Sequence, residues 1–164
     1  MKKQCKRKRW AKDTEAANRA LNRHDQSDMT EAAQQKLLLS AYTLLDTLRD
    51  GTMVRAQFIR LNTINCIAWQ LSKQVVENSS SDECERIALL VKERAEKAGE
   101  ALADLGWRWR DHGCQRFVAT GDELNALRAS VQAYEEVLGV LPCGLVFAAT
   151  QDATKMVGNH LNQR

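Results

Sequence analysis

One proline and eight glycines in 164 residues are too few breaks for a fold of many short strands and tight turns. Aromatic residues make up only 5%, and no run alternates apolar and polar residues long enough to build a sheet. No stretch approaches the roughly 18 apolar residues that a membrane-spanning helix requires. The five cysteines, Cys5, Cys66, Cys84, Cys114 and Cys143, are odd in number and widely scattered. That spacing excludes a disulfide framework and a paired zinc module, and points to reduced thiols. There is no Gly-x-Ser-x-Gly elbow and no glycine-rich phosphate loop. Nothing in the chain points to an enzyme or to a cofactor, so neither is expected. The basic cluster Lys2 to Arg9 lacks the apolar run that would make it a signal peptide, and the expected location is the cytoplasm.

What the chain has is helix-forming composition. Apolar residues are 44%, with alanine and leucine prominent, enough for one all-α domain with its own core. About five helices are legible. The first is expected from about Asp28, with Glu31 as a capping-box partner, to Arg49. Its inner face is Ala33, Leu37, Ala41, Leu44, Leu45 and Leu48, and Gly51 is its left-handed stop. The second starts after a Thr52 cap and runs to about Glu77, on a stripe of Val54, Phe58, Leu61, Ile64, Ala68, Leu71 and Val75. A linker follows, with Ser80 and Glu83 at box spacing. The third helix carries Ile87, Leu90, Val91, Arg94, Ala98, Ala101, Leu102 and Leu105, is weakened at Gly99 and Gly106, and ends between Leu105 and His112.

The fourth helix has the strongest local signal. Thr120 and Glu123 form a capping box, and Asp122 and Glu123 place negative charge at the helix start. Leu124, Leu127, Val131, Tyr134 and Leu138 then make one stripe, Gly139 ends it, and Phe117 or Val118 can act as a staple. A last helix passes through Leu145, Val146, Ala149, Ala153, Met156 and Val157. The domain boundaries that follow are a flexible basic arm at 1–27, a helical domain at 28–158, and a frayed tail at 159–164.

Charge is unevenly placed. Residues 1–26 hold nine Lys or Arg against three acids, and residues 27–164 hold fifteen against eighteen. The arm, through Lys2, Lys3, Lys6, Arg7, Lys8, Arg9 and Trp10, can contact nucleic acid or another acidic surface, or serve only as a solvated leader. The densest segment in the body is Trp107-Arg108-Trp109-Arg110, followed by Arg116. Interleaved tryptophan and arginine suit base stacking and phosphate pairing. They also suit a protein interface, where both types are enriched. The structural alternative is one tryptophan in the core, with arginines paired to acids of the third helix. The body's acidic balance favours a protein partner, because nucleic-acid domains are usually basic themselves. On a helix, residues two apart lie about 200° apart around the axis, so one tryptophan should be buried and the other available. His112 with Cys114 is half of a metal site without a second pair, and Asp111-His112 is half of a triad without a nucleophile. No metal site is expected.

From about Lys36 onward the chain resembles small helical proteins of bacteriophages and mobile elements. The likeness lies in Leu48-Arg49-Asp50-Gly51, in the long helix with Asn62 to Ala68, and above all in Phe117 to Leu127 with Thr120-Gly121-Asp122-Glu123-Leu124. The resemblance implies an accessory protein in a bacterial cytoplasm that binds and inhibits or regulates a host protein or nucleoprotein complex. An anti-CRISPR-like inhibitor is its concrete version. A nucleic-acid-binding regulator using the arm and the Trp/Arg segment is the alternative, and self-association stays open. No functional residue is implied by the resemblance.

Overall fold

The computed structural model describes residues 27, 29–78, 82–113, 116–138 and 141–162. They form five helices: α1 (Glu31–Arg49), α2 (Arg55–Asn78), α3 (Asp82–Asp111), α4 (Gly121–Leu138) and α5 (Cys143–Asn162). The all-α expectation holds, with no strand among the described residues. The basic arm named from the sequence lies outside them.

α2 is the centre of the bundle, since it touches each of the other four helices. α3 packs on α2 and α4, α5 lies along α2, and α1 rests more on α4 than on α2. Two core clusters show how the chain alternates. One joins the C-terminal halves of α1 (Ala41, Leu44, Leu45, Leu48) and α3 (Leu102, Leu105) to the starts of α2 (Leu61) and α4 (Leu127). The other joins the end of α2 (Ala68, Leu71), the first half of α3 (Val91, Ala95) and the end of α4 (Tyr134, Leu138) to α5 (Val146, Ala149). Helices α1 to α4 therefore run alternately up and down, as the short α1–α2 connection predicts.

Local chemistry accounts for the boundaries. α1 is capped by Thr30, whose hydroxyl accepts the Ala33 N–H at 3.3 Å; the expected cap, Asp28, lies outside the described residues. At its far end Gly51 has φ 64°. The Gly51 N–H reaches the Leu48 carbonyl at 3.1 Å, and the Thr52 N–H reaches that of Thr47 at 2.9 Å. This is a Schellman closure, and it needs a residue that tolerates positive φ. Thr52 thus serves the end of α1, with its hydroxyl also donating to Thr47 at 3.2 Å. It does not cap α2 as expected. That role falls to Val54, whose N–H is accepted by the Gln57 side chain at 2.9 Å, so Val54 precedes the stripe and is exposed. α3 ends at Asp111 within the expected window, closed by Gly113 at φ 59°. α5 runs past Gly158 to Asn162, through the residues expected to fray.

Besides Val54, four expected core residues are outside: Leu37, Ile87, Leu90 and Met156 are each about two-fifths exposed. On α1, Leu38 packs against the core in place of Leu37. On α3, the alanines carry the contact through Ala88, Ala95, Ala98 and Ala101. Ala88 and Val91, in the same turns, are buried, so Ile87 and Leu90 lie on the flank of α3 that its neighbours do not cover.

One polar group is built into the centre. Asn65 of α2, 7% exposed, donates through Nδ2 to the Ala95 carbonyl of α3 at 2.9 Å. Its Oδ1 accepts from the Ser130 hydroxyl of α4 at 2.7 Å. A satisfied buried amide joining three helices fixes their register, because any slip would leave it unpaired.

Candidate functional site: the aromatic and cationic end of the bundle

The α1–α2 and α3–α4 connections lie at the same end of the bundle. They are joined by the Phe117 N–H, which donates to the Met53 carbonyl at 3.1 Å, and Val118 lies against Gly51. Phe117 is thereby drawn inward to 2% exposure. Its ring stacks on Phe58 of α2, centroids 4.2 Å apart and nearly parallel, and on Trp109 of α3 at 5.2 Å. The Arg55 guanidinium sits 5.8 Å from the Trp109 ring centre. Three rings from three parts of the chain thus form one stack, with a cation on its outer member. Stacked pairs contribute about 0.5–1.5 kcal/mol beyond area burial, so this end is firmly held.

The two tryptophans separate as their spacing predicts. Trp109 packs against the core cluster, and its indole N–H is buried without a partner among the described residues. Trp107 is 54% exposed, with the Arg110 guanidinium 3.8 Å from its ring centre. That pair is an amphipathic feature on the outer side of α3.

Arg108 is spoken for. Its two terminal nitrogens reach the two carboxylate oxygens of Glu123, each at 2.6 Å, and one also donates to the Val118 carbonyl at 3.3 Å. Glu123 in turn completes the expected capping box. Its carboxylate accepts the Thr120 N–H at 2.7 Å, and its own N–H reaches the Thr120 hydroxyl at 3.3 Å. The Arg108 guanidinium, helped by the Thr120 bonds and opposed by burial, holds the Glu123 carboxyl below its ordinary range. The same contact raises Arg108 further above its own. Arg108 is therefore a strut between α3 and α4, tied to an acid of α4 and not of α3.

Beside this strut lies a cleft of about 170 Å³. Its apolar wall is Leu105, Trp109, Phe117 and Val118; Arg108, His112 and Arg116 supply the polar part, and among the described residues no carboxylate lines it. Arg116 is exposed and has no ion pair among the described residues. Of the residues singled out in the sequence, Trp107 and Arg110 form the protruding pair, whereas Arg108, Trp109 and Arg116 line the cleft. The arm residues Lys2, Lys3, Lys6, Arg7, Lys8, Arg9 and Trp10 lie outside the described residues. Arg55, Leu105 and Phe58 belong to this end as well; Phe58 and Leu105 were marked only as stripe residues, and Arg55 by no local signal. Their involvement depends on two loops meeting that are far apart in the chain.

Among the described residues no group of three His, Cys, Asp or Glu is arranged to hold a metal; Cys114 is outside them. No described helix is long and apolar enough to cross a membrane. Comparison with known proteins returns nothing to set beside this end: no family model matches the chain, and neither a curated protein nor a solved structure matches it.

Proposed function

We propose that the chain is a non-catalytic interaction protein whose contact surface is the aromatic and cationic end of the bundle. The observation that carries this reading is Trp107, half out of the structure, with Arg110 stacked on it, on the side of α3 turned away from Trp109. Exposed tryptophan with arginine is the composition of interface hot spots. The aromatic stack holds the same turn of α3 from its inner side through Trp109, which keeps the ordering cost of docking low. The partner is a host protein or nucleoprotein complex in a bacterial cytoplasm that the chain inhibits or regulates, in the manner of an anti-CRISPR inhibitor. That setting is supported by the phage-type resemblance alone.

A second reading, direct nucleic-acid binding, is favoured by Arg55 and Arg116, two exposed guanidiniums with no ion pair among the described residues. Capture from a bacterial lysate with and without nuclease separates the two. The first reading expects a partner that survives nuclease, is held at raised salt and is lost with Trp107→Ala at unchanged melting temperature. Nuclease-sensitive capture that weakens steeply with salt would favour the second, because phosphate contacts release counterions. Unchanged capture by Trp107→Ala would place the surface elsewhere.

A further inference from the structure

We infer that the cleft between the end of α3 and the start of α4 receives an acidic peptide anchor from a protein partner: one apolar side chain with a carboxylate beside it. This rests on the reading of that end as a contact surface and specifies what it recognises. Small-molecule sites typically enclose about 300–1,000 Å³, and 170 Å³ falls below that range. It suits a single anchoring side chain, as in the small central pockets of protein interfaces. Leu105, Phe117 and Val118 give that side chain apolar walls, and Val118, 68% exposed, has surface left to cover.

The charges decide what accompanies it. Arg108 has both terminal nitrogens engaged by Glu123, so it is a fixed wall and not a free donor. Arg116 on the cleft and Arg55 over Trp109 have no carboxylate among the described residues. An arginine fork matches a carboxylate in two parallel hydrogen bonds. An acid next to the anchor therefore finds one waiting, whereas a basic or neutral neighbour does not.

Nucleic acid is the weaker fit. Trp109 is already stacked on Phe117 and carries Arg55, and Trp107 carries Arg110. Neither is the bare ring platform that successive bases use. Residues 27–164 also hold more acids than bases, so the cations here are local and not a backbone-tracking groove.

The test is selection of a random dodecapeptide library on the full chain, followed by anisotropy titration of the enriched peptides labelled with fluorescein. A dT20 oligonucleotide serves as a parallel probe. The expected result is enrichment of an apolar residue with Asp or Glu within two positions. Arg116→Glu and Val118→Asp, both at exposed sites, should keep the wild-type melting temperature. Arg116→Glu should weaken the peptide about tenfold or more, the size of a lost charge-assisted bond, and Val118→Asp should weaken it too. Peptides without an acid preference would overturn the inference, as would acidic peptides that bind both variants normally. If Trp107→Ala still abolishes partner capture in those cases, the contact surface stands and only the cleft's role fails. Tight dT20 binding lost in Arg116→Glu, without an acidic peptide, would also overturn it, in favour of nucleic acid.

Discussion

Glu123 joins a helix cap to an interhelical ion pair, and replacing it in two ways separates the two contributions. Glu123→Gln keeps the length of the side chain and an oxygen for the Thr120 N–H, but removes the charge that faces Arg108. The Glu123 side chain is 11% exposed and that of Arg108 is 40%, so the pair is half solvated and its worth must be discounted accordingly. A bidentate pair of this kind belongs at the upper end of surface values, about 1 kcal/mol. Glu123→Ala also loses the carboxylate half of the capping box, about 1 kcal/mol more, for a total near ~2 kcal/mol. In a domain of this size each kcal/mol lowers the melting temperature by roughly 3–5 °C, so the two variants should be clearly resolved by circular dichroism.

The pH dependence carries the sharper test. The folded-state pKa of Glu123 is depressed, so its stabilisation is complete above the unfolded value of about 4.3. It fades as pH falls through the lower folded value. The wild-type lead over Glu123→Gln should thus be full at pH 7 and close in acid, and 1 M salt should narrow it at neutral pH. Arg108→Ala should cost less in the Glu123→Gln background than in wild type. Equal melting of wild type and Glu123→Gln at pH 7, or a gap that persists unchanged in acid, would refute the strut.

Three further outcomes follow from the same packing. Thr120→Ala should lose about 1 kcal/mol through the helix cap, read by urea unfolding. Trp109→Ala should cost about 3–5 kcal/mol, as large aromatic truncations in a core do, while Trp107→Ala should fall within about 0.5 kcal/mol of wild type; matching losses would mean the two rings are not divided between core and surface. Gly106→Ala should stabilise α3 by up to about 1 kcal/mol, because the added Cβ would meet Phe58 at an ordinary contact distance of 3.6 Å; a loss in thermal unfolding would show that the aromatic stack needs the glycine.

What could be read from the sequence was what a residue settles with neighbours three or four positions away. The Thr120–Glu123 box, the Gly51 stop, the α4 stripe and the opposition of Trp107 to Trp109 are all of that kind, and all are seen. Misreadings came where two local solutions competed. Thr52 and Val54 both stand before α2, and the choice was made by the Schellman closure of α1, which claims Thr52, and by the Gln57 side chain, which serves Val54. On α3, leucine and isoleucine outweigh alanine in any hydrophobic count. Close helix packing prefers the small residues, so Ala88 and Ala95 face inward while Ile87 and Leu90 do not. The Ser27 carbonyl accepts the Cys143 N–H at 2.8 Å, a bond with no trace in local pattern.

The candidate site was half legible for a reason its geometry explains. Its protruding part, Trp107 with Arg110, is made within one helix turn and needs no other element. Its recessed part needs Phe117 drawn under Trp109 by a bond to Met53, and Phe58 brought beneath both. Those contacts join α2, α3 and the α3–α4 connection, and they exist only once the bundle has closed. The two parts therefore differ in what damages them. A change at Trp107 or Arg110 removes a contact and leaves the fold, whereas a change at Phe58, Phe117 or Trp109 loosens the bundle end and the cleft together. Loss of binding at the first pair with stability intact is what identifies an interface here, and loss at the second group identifies only its support.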